Sequence, residues 1–371
     1  MPSRSAERAL FIGWCAILLV AAELVARALV PLEQVPRWRG FHIPDSLAAY
    51  RLAPNLDGGI YFYGRVPIRT NSLGLRDRDY GPRAAGVARV LMIGDSQTLG
   101  LVPEPATLAR QLERTLARDG RRWEIINAGV LGYGTEQELI RLRGLLPVYK
   151  PDLVVLTVFA NDIYDNHYRP RDRWVVGDDG YLHSRIETPH PLPPPRRGWM
   201  GAYDWLARHV DLFALGSRAL SRVVHRGPTR PAALPDYAEL LARDWSAGEA
   251  RDWARTDSLI GEVATAARAG GARIAVVDGG SRAALGWATW PESTDTRRYD
   301  LDREARALDG VAERIGAPCV HVMPAFRAER SPLSLYFPND DHWTARGDAV
   351  VAALLAPTVR AQCDRAASVA R

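Results

Sequence analysis

From residue 88 onward, short apolar runs and helical patterns take turns along the chain. "ARVLMIGD" (88 to 95), "WEIINAG" (123 to 129), "DLVVLTVFAND" (152 to 162), "ARIAVVDGG" (272 to 280) and "PCVHVMPAF" (318 to 326) are rich in β-branched residues and almost continuously apolar. Runs of that kind suit strands buried on both faces. Residues 105 to 118, 135 to 149, 252 to 269, 296 to 316 and a last stretch from about Ala345 read as helices. Leu108, Leu112 and Leu116 recur every four residues, as do Leu142 and Leu146, and such stripes are expected to face a sheet. The β-α-β-α order predicts an α/β fold with a parallel sheet and helices on both sides. Ligands of such folds gather at the carboxyl ends of the strands.

Those ends carry chemistry. "GDS" (Gly94, Asp95, Ser96), "NAGVLG" (Asn127 to Gly132) and "AND" (Ala160 to Asp162) close the first three strands, and "NDDHW" (Asn339 to Trp343) precedes the last helix. Taken singly, each is an ordinary strand-to-turn string, because Gly, Asp, Asn and Ser favour turns for backbone reasons. Together they put a hydroxyl, a glycine N–H, a side-chain amide and an Asp–His pair on one rim, which are the parts needed for acyl transfer through a serine.

In this ordered set of blocks the chain resembles the SGNH, or GDSL-like, hydrolase family, over residues 88 to about 355 apart from one insertion. The resemblance implies a flavodoxin-like three-layer α/β/α sandwich with a mostly parallel sheet. It implies Ser96 as nucleophile, His342 as general base, and the Ser96 N–H, Gly132 and Asn161 as oxyanion-hole donors. In the family's usual last block an Asp stands three residues before the His, and here that place holds Asn339. Asp340, two before His342, has the Asp-x-His spacing seen in relatives that act on polysaccharides, and is the expected orienting carboxylate. Asp341 or a carboxylate elsewhere is the alternative. Asp95 is expected to shape the turn before Ser96. An α/β-hydrolase elbow, Gly-x-Ser-x-Gly, does not occur in the sequence.

Residues 163 to about 250 interrupt the rhythm. "PHPLPPP" (189 to 195) reads as a stiff extended spacer, and "YDWLARHVDLFALGSRALSRVV" as an amphipathic helix, so the segment is expected to be a lid or substrate-side insertion. Seven of the 11 tryptophans fall between Trp174 and Trp290, most of them expected in the core and a few as stacking surfaces for sugar rings. His321, inside an apolar strand, is expected to be a satisfied core residue. Asp340, Asp341 and His342 lack a second cluster such as His-Glu-x-x-His, so no metal and no cofactor are expected. Upstream, "TNSLGLRD" (70 to 77) is expected to be a turn at Gly74 followed by solvated Arg76 and Asp77.

The N-terminal 33 residues form a leader, with residues 34 to 87 connecting it to a catalytic domain over 88 to 371. "ALFIGWCAILLVAA" (9 to 22) is uncharged, and apolar character resumes beyond Glu23 and Arg27, giving a stretch near the length of about 20 residues that a membrane helix needs. A single uncleaved inner-membrane anchor with the catalytic domain outside the cytoplasm, in the periplasm, is the expectation. A cleaved signal and a buried amphipathic helix are the alternatives. The net charge of +5 does not point to nucleic acid, since the basic residues lie among nearly as many carboxylates and form no block. Cys15, Cys319 and Cys363 are too few for a disulfide framework, although a Cys319–Cys363 bridge is compatible with export. The expected activity is an ester hydrolase acting on O-acylated surface or exported carbohydrate. An O-acyltransferase and a non-catalytic polysaccharide-binding protein are the other two readings.

Overall fold

The computed structural model describes residues 4 to 29, 39 to 61, 65 to 186, 234, 235, 237 to 338 and 340 to 369, with residues 206, 210, 212, 213 and 216 between them. The proline-rich string 189 to 195 and nearly all of the helix expected after it lie outside the described residues. The chain divides into two compact units, one made of residues 38 to 59, 66 to 186 and 230 to 371, the other of 1 to 37, 60 to 65 and 187 to 229.

The leader forms helix α1 (Arg4–Leu29) in the second of these units. The expectation of a membrane anchor is corrected here, because among the described residues no helix is long and apolar enough to cross a membrane. The physical reason lies in the charges. Glu7 and Arg8 precede the uncharged stretch 9 to 22, and Glu23 and Arg27 follow it. At about 1.5 Å per residue that stretch reaches only two-thirds of a hydrocarbon core of about 30 Å.

The larger unit opens with a short antiparallel hairpin, β1 (His42–Asp45) with β2 (Ala49–Leu52); next along the chain, β3 (Asp57–Tyr61) and β4 (Arg65–Arg69) pair as a second two-stranded sheet. The sheet then begins with β5 (Val87–Ile93), α2 (Ser96–Leu99), α3 (Leu108–Leu116) and β6 (Arg122–Asn127). It continues through α4 (Thr135–Tyr149), β7 (Leu153–Val158) and α5 (Ala160–Asp165). A further hairpin follows the short α6 (Pro170–Arg173), pairing β8 (Trp174–Val176) with β9 (Leu182–Ser184). The last elements are α7 (Ala247–Ala269), β10 (Arg273–Asp278), α8 (Arg303–Arg314), β11 (Cys319–His321), α9 (Met323–Ala328) and α10 (Ala345–Val369).

Five parallel strands make the sheet, in the order β11-β10-β7-β5-β6. Numbered along the chain this is 2-1-3-4-5, the flavodoxin-like order with its switch point beside the first strand. Strand side chains alternate between two cores. Val90, Met92, Val155 and Val277 join Leu108, Leu112 and Leu116 of α3 and Val351 and Leu355 of α10 on one face. Leu91, Ile93, Val154, Leu156 and Val276 join Leu142, Leu146, Ile260 and Leu308 on the other. The leucine stripes therefore meet the sheet as their spacing requires. The two faces also separate the cysteines. Cys363 belongs to the first core and Cys319 packs on the second, and both are free thiols, so the bridge considered from sequence is not made.

Two further expectations are corrected. The run 318 to 326 is a strand only as far as His321; with Pro324 in its first turn, the remainder becomes α9. There the missing proline N–H costs no helical bond. Arg76 and Asp77 are not solvated but buried, with relative exposures of 3% and 7%. The Arg76 guanidinium donates to the carbonyl oxygens of Leu99 at 3.1 Å, Val102 at 2.7 Å and Pro67 at 3.0 Å, and to that of Gly100. Asp77 Oδ2 accepts from the Asn127 N–H at 2.8 Å and pairs with Arg110 at 3.1 Å. The "TNSLGLRD" segment thus ties the loop after α2 to the end of β6.

Between β5 and α2 the chain turns sharply. Gly94 has φ +159, and a Cβ there would lie 2.1 Å from Thr98 Oγ1. Asp95 caps α2 by accepting from the Gln97 N–H at 2.8 Å, and burial pushes its carboxyl up to about 6.

Both features give measurable consequences. Arg76→Ala leaves several buried carbonyls without a donor and should lower unfolding free energy by about 3 kcal/mol or more in denaturant titrations; a loss below about 1 kcal/mol would show that the clamp is dispensable. Asp95→Asn keeps a capping oxygen but removes the charge. Because folding raises the Asp95 pKa from 3.8 to about 6, the wild type is progressively penalised as pH climbs through that window. The stability gap should shift toward the variant between those pH values and level off above them, whereas a gap independent of pH contradicts the assignment.

Candidate active site

Ser96, the first residue of α2, stands at the carboxyl end of β5 and is 9% exposed. Its Oγ is 2.8 Å from His342 Nε2. On the far side of the ring, Nδ1 is 2.6 Å from Asp340 Oδ1, which also accepts from the His342 backbone N–H at 2.7 Å. One carboxylate oxygen thus holds both the ring and its own backbone, which orients the ring with Nε2 toward the hydroxyl. Burial pushes the Asp340 pKa up, but the hydrogen bonds and charge of His342, with Arg282 nearby, outweigh it and hold the carboxyl below its ordinary value.

Asp341, the alternative orienting group, is committed elsewhere. Its Oδ1 accepts from the Arg282 N–H at 2.6 Å and its carbonyl accepts from Gln97 Nε2 at 2.6 Å. Gln97 Oε1 in turn accepts from the Trp343 N–H at 3.2 Å. The residue after the serine therefore grips the backbone on both sides of the histidine. Gln97 carries no local sequence signature, and the fold brings it to a loop 244 positions away.

The two other residues expected as donors, Gly132 and Asn161, follow β6 and β7. Beyond β6, residues 130 to 133 form a turn closed by the Tyr133 N–H to Val130 carbonyl bond at 3.2 Å. Gly132, at φ +72, takes the third position, where a type II turn needs a left-handed residue. Asn161 lies in the first turn of α5, and its Nδ2 donates one hydrogen to Asp165 Oδ2 at 2.9 Å. Asp165 is itself held by Arg173. This leaves the second amide hydrogen of Asn161 for another acceptor. The Asn161–Asp165 spacing of four on one helix was a signal available in the sequence.

His321 is satisfied as expected, though by charge rather than by a core environment. Its Nδ1 lies 2.8 Å from Asp278 Oδ2 and its Nε2 2.9 Å from Asp309 Oδ1. The Asp278 hydrogen bond is the main cause that pushes its pKa up to about 11. Asp309, Cys319 and His321 have donor atoms within 4.8 Å of one another, a set of metal-ligand types. In this arrangement each ring nitrogen faces a carboxylate oxygen. Of the tryptophans, Trp123, Trp290 and Trp343 are buried, Trp287 is 39% exposed, and Trp199 and Trp205 lie outside the described residues.

The family model of the GDSL-like Lipase/Acylhydrolase family matches residues 92–350. Among curated proteins there is no match. Similar solved structures include TesA, with 16% identity over 74% of this chain and 99% of that one and a TM-score of 0.42. A lipase/acylhydrolase from Enterococcus faecalis has 15% identity, coverage of 75% and 96%, and a TM-score of 0.40. An acetylxylan esterase from Geobacillus stearothermophilus has 11% identity, coverage of 73% and 94%, and a TM-score of 0.39. With well over half of its length matched by that model and a parallel sheet that brings Ser96, His342 and Asp340 together, this chain belongs to the GDSL-like lipase/acylhydrolase family.

Proposed function

We propose that the protein hydrolyses esters of O-acylated carbohydrate through an acyl-enzyme on Ser96. One observation carries the catalytic part of this reading: the run of contacts from Ser96 Oγ to Nε2 at 2.8 Å and from Nδ1 to Asp340 at 2.6 Å. The carbohydrate part is supported by the Asp340-x-His342 spacing, which resembles that of relatives acting on polysaccharides.

The steps follow from the geometry. As Oγ attacks the ester carbon, its proton passes to Nε2 and the carbonyl electrons move onto oxygen. Asp340 steadies the imidazolium without taking its proton. The N–H groups of Ser96 and Gly132 and the free amide hydrogen of Asn161 receive the oxyanion. When the tetrahedral intermediate collapses, the C–O bond to the alcohol breaks and Nε2 returns the proton to it. Water, deprotonated by the same nitrogen, then attacks the acyl-enzyme and releases the acid.

Placement outside the cytoplasm is part of the proposal, on the strength of the uncharged run 9 to 22 behind Arg4 and Arg8, a pattern common to export signals. An alkaline phosphatase fusion after residue 33 should be active in a bacterial host. An inactive fusion at equal expression contradicts export.

Turnover of a short-chain p-nitrophenyl ester and of acetylated xylo-oligosaccharide tests the activity. Ser96→Ala should lower kcat by at least about a thousandfold, Asp340→Asn by a comparable factor, and Asn161→Ala by about a hundred- to a thousandfold. A Ser96→Ala variant with wild-type turnover refutes the mechanism. Acyl transfer to added oligosaccharide in place of acid release would identify a transferase, and sugar binding that is unaffected by Ser96→Ala without any turnover would identify a binding protein.

A further inference from the structure

The hairpin β1–β2, upstream of the sheet, reaches the turn that carries Gly132. Asp45 Oδ1 accepts from the N–H groups of Leu47 at 2.9 Å and Ala48 at 2.8 Å, and Ala49 sits at φ +70, a conformation uncommon for a residue with a side chain. The next residue, Tyr50, is fully buried. Its hydroxyl donates to the Leu131 carbonyl at 2.9 Å, and its own carbonyl accepts from the Tyr133 hydroxyl at 2.5 Å. Tyr50 therefore holds the residues on either side of Gly132. Gln137 Nε2 adds a bond to the Ala48 carbonyl at 2.8 Å, and the Tyr50 and Tyr133 rings meet edge to face with centroids 5.3 Å apart.

The bond to Leu131 falls on one peptide unit whose other end is the Gly132 N–H. In a four-residue turn over 130 to 133, that unit is the middle peptide, and its orientation is what separates type I from type II. Turning it over would reverse the direction of the Gly132 N–H. A donor fixed on the Leu131 oxygen opposes that reversal. It also draws electron density toward the oxygen through the conjugated amide, which makes the N–H at the other end a stronger donor. Among the described residues the Gly132 N–H has no hydrogen-bond acceptor. Burial raises the Tyr50 pKa well above its ordinary value, so the phenol keeps its proton as a donor.

We propose that Tyr50 is a positioning residue of the oxyanion hole, aiming and strengthening the Gly132 N–H through the Leu131–Gly132 peptide. This rests on the serine-hydrolase reading above. It makes a segment upstream of the sheet part of the catalytic apparatus, acting without touching the substrate.

The test is Tyr50→Phe in the full-length protein, which removes one oxygen atom and retains the ring. The expected result is a five- to tenfold fall in kcat for the p-nitrophenyl ester with KM within twofold. A boronic acid that mimics the tetrahedral intermediate should bind weaker by a similar factor. Tyr133→Phe deletes a bond of the same clamp but leaves the one on Leu131, and should cost kcat less than twofold. A kcat for Tyr50→Phe within twofold of wild type, or equal losses in the two variants, overturns the proposal. Should Tyr50→Phe fail to fold, site-specific fluorotyrosine at position 50 preserves the packing and sharpens the donor. It should raise kcat, and an unchanged kcat again overturns the assignment. A wild type with no Ser96-dependent turnover removes the serine-hydrolase reading and this proposal together.

Discussion

A single carboxylate oxygen decides what the imidazole can do. By taking both the ring Nδ1 and the backbone N–H of His342, Asp340 locks the side chain to its own loop. The opposite nitrogen then faces the serine hydroxyl at 2.8 Å. A serine alcohol is a weak nucleophile at neutral pH, and this contact is what makes its chemistry accessible. The surrounding structure can be understood by how it keeps that contact at hydrogen-bond length across 246 positions of chain.

Three devices do so. The sheet delivers Ser96, the Gly132 turn and Asn161 to neighbouring strand ends, because β5 lies between β6 and β7. Gln97 bridges from the nucleophile's helix to the backbone flanking His342. Arg76 donates to carbonyl groups at the end of that helix and in the loop after it, which would otherwise be buried without donors, while the neighbouring Asp77 accepts from the Asn127 N–H at the end of β6. Each adds little specific chemistry. Together they fix atoms that a displacement of an ångström would take out of reach.

Much of this could be read in the chain before its structure. The alternating runs gave the parallel sheet, and the leucine stripes of 108 to 116 and 142 to 146 gave the faces of their helices. The strand-end strings pointed to Ser96, Asp340 and His342, which the fold brings into contact. What escaped was every interaction whose meaning depends on a distant partner. Arg76 looked solvated because charged residues usually are, and the four carbonyls that bury it belong to segments up to 26 positions away. Gln97 carries no local signature. Tyr50 lay in a stretch read only as a connection. The break after His321 was missed for the opposite reason, since "MPAF" is apolar enough to extend a strand and only its proline hinted at a helix start.

Central to the account is a serine made nucleophilic by the histidine facing it. Intact-mass and peptide analysis after exposure to a fluorophosphonate measures this most directly. One adduct per chain is expected, on the peptide containing Ser96, formed at least about a hundredfold more slowly in His342→Ala at about the same melting temperature. Modification elsewhere, or at Ser96 with equal speed in that variant, would contradict it.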